Sequence, residues 1–266
     1  MKYLSYFIVA AMLLLVAACS SVPVTGRKQV LLVSDSEVLT LSLQQYDEYI
    51  KSAPKSANAK NTALVEKVGR RIANAVETYM NNNGMGDLVA NFSWEFNLIK
   101  SDEVNAFCMP GGKIVVYEGI LPITQDETGL AVVLGHEVAH AVAKHSNERM
   151  SQQMLTEYGS QALGMALDKQ SAQIQQIGSV AFGLGSQYGV TLPFSRKQEL
   201  EADELGLIFM SMAGYDPRQA ASFWERMSAA SGGGVPEFTS THPSDATRIK
   251  KINENLPKAL EYYTGK

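Results

Sequence analysis

The feature that most constrains this chain is the pentapeptide His136-Glu137-Val138-Ala139-His140, which follows the apolar run Leu130 to Leu134. A capping-box pattern from Thr124 to Glu127 predicts a helix start just before the run. On such a helix, residues four apart advance about 400° and about 6 Å, so both imidazoles project from one face. That separation suits a shared tetrahedral zinc ion with Zn–N bonds of about 2.0–2.1 Å. Glu137 lies beside the first histidine, where its carboxylate reaches a metal-activated water, which predicts a general base. The alternative is a surface helix with two unrelated histidines.

A third protein ligand is needed, because two histidines and a water do not hold a catalytic zinc ion. His145 is the nearest candidate and lies five residues beyond His140. On a continuing helix it is about 500° further round, away from the face of that ligand. We therefore predict that His145 is a solvent-exposed helix residue and not a ligand.

A second segment, from Ser195 to Asp203, offers carboxylates at helical spacing. Glu199 and Asp203 are four apart and share a helix face, which suits one metal ligand and one residue that orients a ligand histidine. We predict Glu199 as the third ligand and Asp203 as the orienting partner of His136. Glu201 lies about 200° from Glu199 and is predicted to be exposed, with the reversed assignment of the two glutamates left open.

The N-terminal residues have the pattern of an export signal. Lys2 supplies a positive charge, Tyr6 to Val16 are mostly apolar, and small residues precede Cys19. Residues 1–18 are predicted to be a lipoprotein signal peptide that is removed to leave Cys19 as a lipidated N-terminus. The alternative is an ordinary signal peptide with an incidental cysteine. Residues 19–33 then form the lipidated cysteine and a tether, and residues 34–266 form a single domain that carries the metal site.

Composition excludes some partners. The charge balance is mildly acidic, with a formal net charge of −4 and no basic block, so nucleic acid is not an expected partner. Only Cys19 and Cys108 are cysteines, so lipidation of the first rules out a disulfide, and Cys108 is predicted to be a small apolar residue rather than a nucleophile. Beyond the signal, no stretch reaches the roughly 18 apolar residues of a transmembrane helix, which leaves the lipid as the predicted membrane attachment.

The remaining patterns predict an α+β fold that is mostly helical. Helices are expected from the capping pattern at Ser34 to about Lys51, from Thr62 to about Asn81, and from near Ser195 onward. Strands are expected at 92–98, 104–109 and 113–117, with a turn at 110–112. The helix of the two histidines is predicted to continue beyond Arg149. Residues 151–188 are predicted to form a helical insert that is either a lid over the cleft or a plain helical hairpin.

The paired motifs resemble a known family. His136-Glu137-x-x-His140 followed by Ser195-Arg196-x-x-Glu199-x-x-Ala202-Asp203-x-x-Gly206 is similar to the gluzincin metallopeptidase family of the CAAX prenyl proteases and HtpX. Further matching segments are Asn105-Ala106-x-x-x-Pro110-Gly111-Gly112, Pro193-Phe194-Ser195-Arg196 and His242-Pro243-x-x-x-x-Arg248-Ile249. The resemblance covers about residues 60–255 and is strongest to the periplasmic lipoprotein members typified by BepA and LoiP.

The resemblance implies a zincin-like metallopeptidase in which a small β-sheet edges the active-site cleft. The edge strand would run from Asn105 to Val116, with Asn105 and Ala106 binding substrate. His242 would lie near the zinc, either as an oxyanion donor or as an inhibitory fourth ligand. The other interpretation of His242 is a loop histidine ahead of the last helix.

These features predict a zinc-dependent endopeptidase with one Zn²⁺ per chain and Glu137 as the base. The resemblance implies that its substrates are misfolded or misassembled envelope proteins. Lipid on Cys19 would anchor it in the bacterial envelope, facing the periplasm, with the outer membrane favoured by Ser20 and Ser21. The alternative is an envelope chaperone or assembly factor that binds unfolded clients with little proteolysis. A structural zinc site is disfavoured, because such sites prefer four cysteine and histidine ligands.

Overall fold

The structure, a computed structural model, describes residues 19–230 and 246–265, which are mostly helical with a small mixed sheet. The strands are β1 (Cys19–Ser21), β2 (Lys28–Val30), β3 (Glu95–Ile99), β4 (Ala106–Met109) and β5 (Lys113–Tyr117). The helices longer than one turn are α1 (Asp35–Ser52), α2 (Ala59–Asn82), α3 (Glu127–Val142), α4 (His145–Leu167), α5 (Ala172–Ser186), α6 (Leu192–Met212), α7 (Ala220–Ala230) and α8 (Ala246–Leu260). The predicted α+β, mostly helical class is confirmed. Among the described residues, no helix is both long and apolar enough to cross a membrane.

The N-terminal segment is packed against the domain. β1 and β2 pair antiparallel, and Val22 between them is 1% exposed within the main hydrophobic core. Leu32 donates its backbone N–H to the Ser151 hydroxyl of α4 (2.8 Å), which fixes the end of the segment as well. The prediction that residues 19–33 are a tether is therefore wrong for the packed residues, because the buried side chain of Val22 anchors the segment to the core.

The sheet places one edge strand beside the central helix. β5 lies in the middle, with β3 parallel on one side and β4 antiparallel on the other. The Tyr117 N–H donates to the carbonyl of Asn105 (3.0 Å). Because hydrogen-bonded and non-hydrogen-bonded pairs alternate in an antiparallel ladder, the backbone groups of Ala106 and Cys108 point away from β5. The three predicted strands are present, although β3 and β4 begin two or three residues later than expected.

Helix α3 is the centre of the core, with every residue from 129 to 142 buried. It begins at Glu127, where the side chain of Asp126, rather than that of Thr124, accepts from the N–H of Gly129 (2.8 Å). The helix packs against α2, α6, α7 and β4. Burial on all sides explains why this segment is apolar around its whole circumference apart from the residues of the pentapeptide.

Two glycines allow α3 and α6 to approach closely. A Cβ atom on Gly206 of α6 would lie 2.8 Å from the backbone nitrogen of His136, and one on Gly135 would lie 2.8 Å from the carbonyl oxygen of Gly206. Each contact is with rigid helix backbone, so a side chain at either position forces the helices apart. The contact therefore sets the distance between the helix of the two histidines and the helix of Glu199.

We expect Gly206→Ala to destabilise the protein by about 1–3 kcal/mol, the usual cost of overpacking a core. The shift of α6 relative to α3 should also weaken metal binding. Urea unfolding of the metal-free protein measures the first effect. Gly183→Ala in α5 is the matched control, because its Cβ meets nothing within 4 Å, and removal of a helical glycine there should be neutral or stabilising. Equal stability of Gly206→Ala and the unmodified chain would contradict the close contact.

The helix of the two histidines ends earlier than predicted. α3 stops at Val142, and Lys144 adopts the left-handed conformation with φ of 58° before α4 begins at His145. The Lys144 ammonium pairs with Asp35 of α1 (2.5 Å), which holds this bend against the neighbouring helix. The prediction of one helix continuing past Arg149 is thus wrong, and α4 leaves in a new direction.

Residues 145–186 form the helical hairpin α4–α5, one of the two arrangements predicted for the insert. Its distal part carries apolar side chains that are exposed: Leu155, Tyr158, Met165, Ile174, Ile177, Val180 and Leu184. α5 contains no charged residue. Ser146, Arg149 and Met150, in the first turns of α4, are the residues of this hairpin that line the cleft beside Glu137.

Candidate metal centre

Three side chains from two helices bring their ligand atoms together. The Nε2 atoms of His136 and His140 are 3.1 Å apart. In the carboxylate of Glu199, Oε2 lies 3.3 Å from Nε2 of His136 and Oε1 lies 3.3 Å from Nε2 of His140. His136 and His140 lie one turn apart on α3, and Glu199 faces them from α6. All three side chains are at least 95% buried.

The cluster fits a tetrahedral metal ion. Ligand atoms at the corners of a tetrahedron with bonds of about 2.0–2.1 Å are about 3.3–3.4 Å apart. The two histidine nitrogens, and each nitrogen with its nearer Glu199 oxygen, are close to that separation. Two imidazoles and one carboxylate are a donor set typical of catalytic zinc, with a fourth position for water or substrate. In the described part of the chain, this is the one group of three such side chains with converging ligand atoms.

Asp203 contacts the other nitrogen of the first ligand, as the spacing predicts. The His136 Nδ1–H donates to Asp203 Oδ1 (3.0 Å), which leaves Nε2 as the ring nitrogen that faces the cluster. Arg248 of α8 donates to both oxygens of Asp203, from Nη2 (2.6 Å) and Nε (2.8 Å). Its guanidinium lies 3.8 Å from the ring centroid of Trp224, which also packs edge-on against His136. Burial alone raises the pKa of Asp203, but Arg248 and His136 outweigh it and hold the pKa below its ordinary value.

His145 and Glu201 do not have the exposed positions that were predicted. His145 is fully buried, with Nδ1 2.8 Å from the Nδ1 atom of His140 and Nε2 3.0 Å from Glu201 Oε2. The prediction failed because it carried the helix across residue 144, and the change of direction there turns His145 back toward His140. Glu201 is 6% exposed because it faces the N-terminal segment, where Thr25 and Arg27 bind its carboxylate.

Hydrogen-bond donors and acceptors define the tautomers in this pair. A His140 that binds metal through Nε2 carries its proton on Nδ1, so His145 Nδ1 must accept. The remaining His145 nitrogen, Nε2, then carries the proton that the carboxylate of Glu201 accepts. Burial lowers the pKa of His145 below its ordinary value, although Glu201 opposes this, so the neutral imidazole required here is favoured.

Glu137 is positioned at a cleft between α1, β4 and the start of α4. It lines this cleft of about 320 Å³ together with His140 and Arg149. Phe107, Cys108 and Met109 of β4 form the facing wall. Burial raises the pKa of the Cys108 thiol well above its ordinary value, and the charge of Glu137 raises it further, so the thiol stays protonated. This agrees with the prediction that Cys108 is not a nucleophile.

The other predicted site residues lie in different parts of the structure, and one of them lies outside the described residues. Asn105 immediately precedes β4, and its side-chain oxygen accepts from the N–H of Ala106 (2.8 Å). The side chain of Ala106 is 1% exposed in the core, so the residues of β4 that line the cleft are the three that follow it. Cys19 begins β1. His242 lies outside the described residues, and its proposed role near the metal stays a prediction.

Sequence reasoning assigned no role to several residues that complete the site. Arg248 belongs to the motif that begins at His242, six residues earlier, and membership of this motif is the sequence signal that could have identified it. Trp224 and Arg27 had none, because each reaches the cluster through tertiary packing from a segment without metal-binding residues.

Zinc binding to the metal-free protein should release about one proton at neutral pH. Burial lowers the pKa of His136, but the hydrogen bonds to Asp203 and Glu199 outweigh it and raise the pKa to about 9. Burial holds the pKa of His140 well below its ordinary value, so that ligand is already neutral. Isothermal titration in two neutral buffers of different ionisation enthalpy measures the proton. Equal heats in both buffers would contradict a protonated His136, and the release should fall as pH rises toward the pKa of His136.

Fold and site together define a class of protein. Two histidines four apart on one buried helix, a carboxylate on a second helix, and a small sheet whose edge strand borders the site are the arrangement of zincin-like metallopeptidases.

Comparisons with known proteins agree with this class. The sequence pattern of peptidase family M48 matches residues 65–256. The chain is 45% identical over 179 residues to the mitochondrial metalloendopeptidase OMA1 of Schizosaccharomyces pombe, which covers 66% of this chain and 50% of that protein. It is 30% identical over 271 residues to the mitochondrial metalloendopeptidase OMA1 of Saccharomyces cerevisiae, covering 98% of this chain and 76% of that protein. Against the beta-barrel assembly-enhancing protease of Escherichia coli, identity is 28% over 239 residues, with 82% of this chain and 45% of that protein covered.

The chain belongs to peptidase family M48. The family inferred from the motifs is thereby confirmed. The chain spans half the length of the fission yeast relative and less than half of the Escherichia coli one.

Proposed function

We propose that this protein is a zinc-dependent endopeptidase that hydrolyses internal peptide bonds. The observation that carries the proposal is the convergence of the His136, His140 and Glu199 ligand atoms, with Glu137 adjacent and facing a cleft. Both yeast relatives are named as metalloendopeptidases.

The cleft offers a way to hold an extended peptide. The backbone groups of Ala106 and Cys108 point away from β5, and the residues of β4 from 107 to 109 line the cleft. A peptide pairing with this edge would bind through its main chain, as in β-augmentation, and would accept many sequences. Asn105 sets the start of the strand through its contact with Ala106.

The chemistry assigns each side chain a task. His136, His140 and Glu199 would hold the zinc ion, which would supply the Lewis acidity needed to polarise the scissile carbonyl and to activate water. Glu137 takes the proton of the attacking water and returns it to the leaving amine nitrogen as the C–N bond breaks. Asp203, held by Arg248, keeps His136 in the tautomer that binds metal. His242 is proposed as the oxyanion donor or as an inhibitory fourth ligand.

The biological setting is proposed from the N-terminal sequence and one relative. The small residues before Cys19 favour a lipid anchor, facing the periplasm and attached to the outer membrane. The Escherichia coli relative is named for enhancing the assembly of β-barrels. We propose misfolded or misassembled envelope proteins as the substrates. Cells fed labelled palmitate should incorporate label into this protein but not into Cys19→Ser, and an unlabelled wild-type protein would contradict the anchor.

A chaperone or assembly factor is the second candidate. The exposed apolar side chains of α4–α5 favour it, because such a surface suits unfolded chains. The two functions separate in one experiment, in which the zinc-loaded protein is mixed with β-casein and, in parallel, with an aggregating client. Cleavage that a chelator abolishes supports the endopeptidase. Suppressed aggregation without cleavage would overturn it in favour of the chaperone.

A further inference from the structure

A buried polar network links the second histidine ligand to the N-terminal hairpin β1–β2. His140 contacts His145 (2.8 Å), His145 contacts Glu201 (3.0 Å), and Glu201 accepts from Arg27 Nε (2.6 Å). Thr25, two residues before Arg27, donates its hydroxyl to the other oxygen of Glu201 (2.6 Å). The four links join segments that are far apart in the sequence and end at the metal cluster.

Arg27 is held so that it can fix this network. Its two terminal nitrogens bind both oxygens of Glu148 at 2.7 Å each, in the paired geometry that restricts a guanidinium most. Glu148 in turn accepts from Gln198 of α6 (2.9 Å). The side chain of Arg27 is 12% exposed, and those of Glu148 and Glu201 are 3% and 6% exposed. One buried cation therefore serves two buried carboxylates, and its removal leaves both without their counter-charge.

Each of the two ligand histidines is linked to a buried carboxylate that is in turn bound by an arginine. His136 is backed by Asp203, which Arg248 holds. His140 is backed by Glu201, which Arg27 holds, with His145 inserted as a spacer. An imidazole that donates from Nδ1 to a carboxylate, directly or through a second imidazole, is fixed in orientation and made a stronger ligand.

We propose that His145 and Glu201 are positioning residues for the metal ligand His140 and that Arg27 makes the N-terminal hairpin a part of the metal centre. The matched family segment is residues 65–256, so Arg27 comes from outside it. The proposal rests on the proposed function only in taking the cluster as the zinc site.

The test compares two replacements of His145 in the full chain purified in detergent. Gln can still accept from the His140 Nδ1–H, whereas Leu fills similar space and cannot. The zinc dissociation constant is measured by competition with a chromophoric chelator, and cobalt(II) in place of zinc reports the ligand geometry through its absorption spectrum. We expect His145→Leu to weaken zinc binding by about 10–100-fold and to shift the cobalt spectrum, with His145→Gln within about threefold of wild type.

Arg27→Ala tests the hairpin without a change next to the ligand. We expect it to weaken zinc binding by about 10-fold or more. Val65→Ala, a buried substitution on α2, is the control for lost stability and should leave zinc affinity unchanged. Should His145→Leu fail to fold, Arg27→Ala and Glu201→Gln carry the same test.

Zinc affinities of His145→Leu and Arg27→Ala equal to that of wild type would overturn the proposal, as would equal losses in the Leu and Gln variants. Because zinc affinity is the readout, a protein that binds zinc without hydrolysing peptides would refute the proposed function and leave this inference standing. Peptide hydrolysis by wild type, together with unchanged zinc affinity in the variants, would support the proposed function and refute this inference.

Discussion

Glu137→Gln is expected to lower kcat for peptide hydrolysis by about 10²–10⁴-fold, the range that general-base catalysis contributes. The amide keeps the size of the carboxylate but cannot take a proton from water at neutral pH. Glu137 is next in sequence to a ligand and faces the cleft, while the three converging ligand atoms belong to other residues. Zinc content should therefore remain at one ion per chain, measured by metal analysis beside the β-casein assay.

The matched control for this variant is Glu127→Gln on the same helix. Its carboxylate lies on the surface, where it pairs with Lys67, and it is far from the cluster along the helix axis. We expect unchanged hydrolysis in this control. Full activity of Glu137→Gln would remove the residue from the mechanism and leave the site without a base.

Glu199→Ala should abolish both zinc binding and hydrolysis. The variant removes one of three protein ligands, so the loss of affinity should exceed the roughly 10–100-fold that follows loss of a residue behind a ligand. It also leaves His136 and His140 as a two-ligand site, which does not retain a catalytic ion. Equilibrium dialysis with zinc, followed by the casein assay, measures both effects.

Glu204 and Glu201, which lie on the same helix as Glu199, serve as comparison positions for this test. Glu204→Ala removes a partly exposed carboxylate that pairs with Lys258, and zinc binding should not change. Glu201→Ala should weaken binding without abolishing it, because Glu201 acts through His145. A larger loss in Glu201→Ala than in Glu199→Ala would favour the reversed assignment that the sequence left open.

The cluster could be predicted to the extent that it depends on local helix geometry. His136 with His140, and Glu199 with Asp203, are pairs four residues apart, and an unbroken helix places each pair on one face whatever the rest of the fold does. That the two faces meet depends on the contact between Gly135 and Gly206, which no pattern of either helix predicts.

The predictions for His145 and Glu201 were wrong because the positions of both residues depend on contacts between different elements of the fold. The prediction for His145 extended the helix through position 144. That position is a lysine with positive φ, and it is neither of the two residues, glycine and proline, that commonly signal a helix end. Its left-handed conformation depends on tertiary contacts, including the pair with Asp35. Glu201 looked exposed because its partners, Thr25 and Arg27, lie about 175 residues earlier in a segment that reads as a polar tether. Long-range pairing of this kind leaves no periodic signal in one sequence.

The sheet was predicted in part: its strands were expected from the sequence, but their order was not. Its strands were predicted from alternation and from the Pro110-Gly111-Gly112 turn, in which both glycines have positive φ. The parallel pairing of β3 with β5 was not predicted, because the order of strands in a sheet depends on packing against α2 and α3 rather than on the strands themselves.

Zinc-dependent hydrolysis at the cluster is tested by a zinc titration of the metal-free protein with β-casein as the substrate. Metal is removed with a chelator, zinc is returned in steps, and bound zinc and cleavage rate are recorded together. We expect no cleavage without metal, a rate that rises in proportion to bound zinc, and a plateau at one ion per chain. Cleavage by the metal-free protein, or a chain that binds one zinc ion in the wild-type cluster and cleaves nothing, would contradict this expectation.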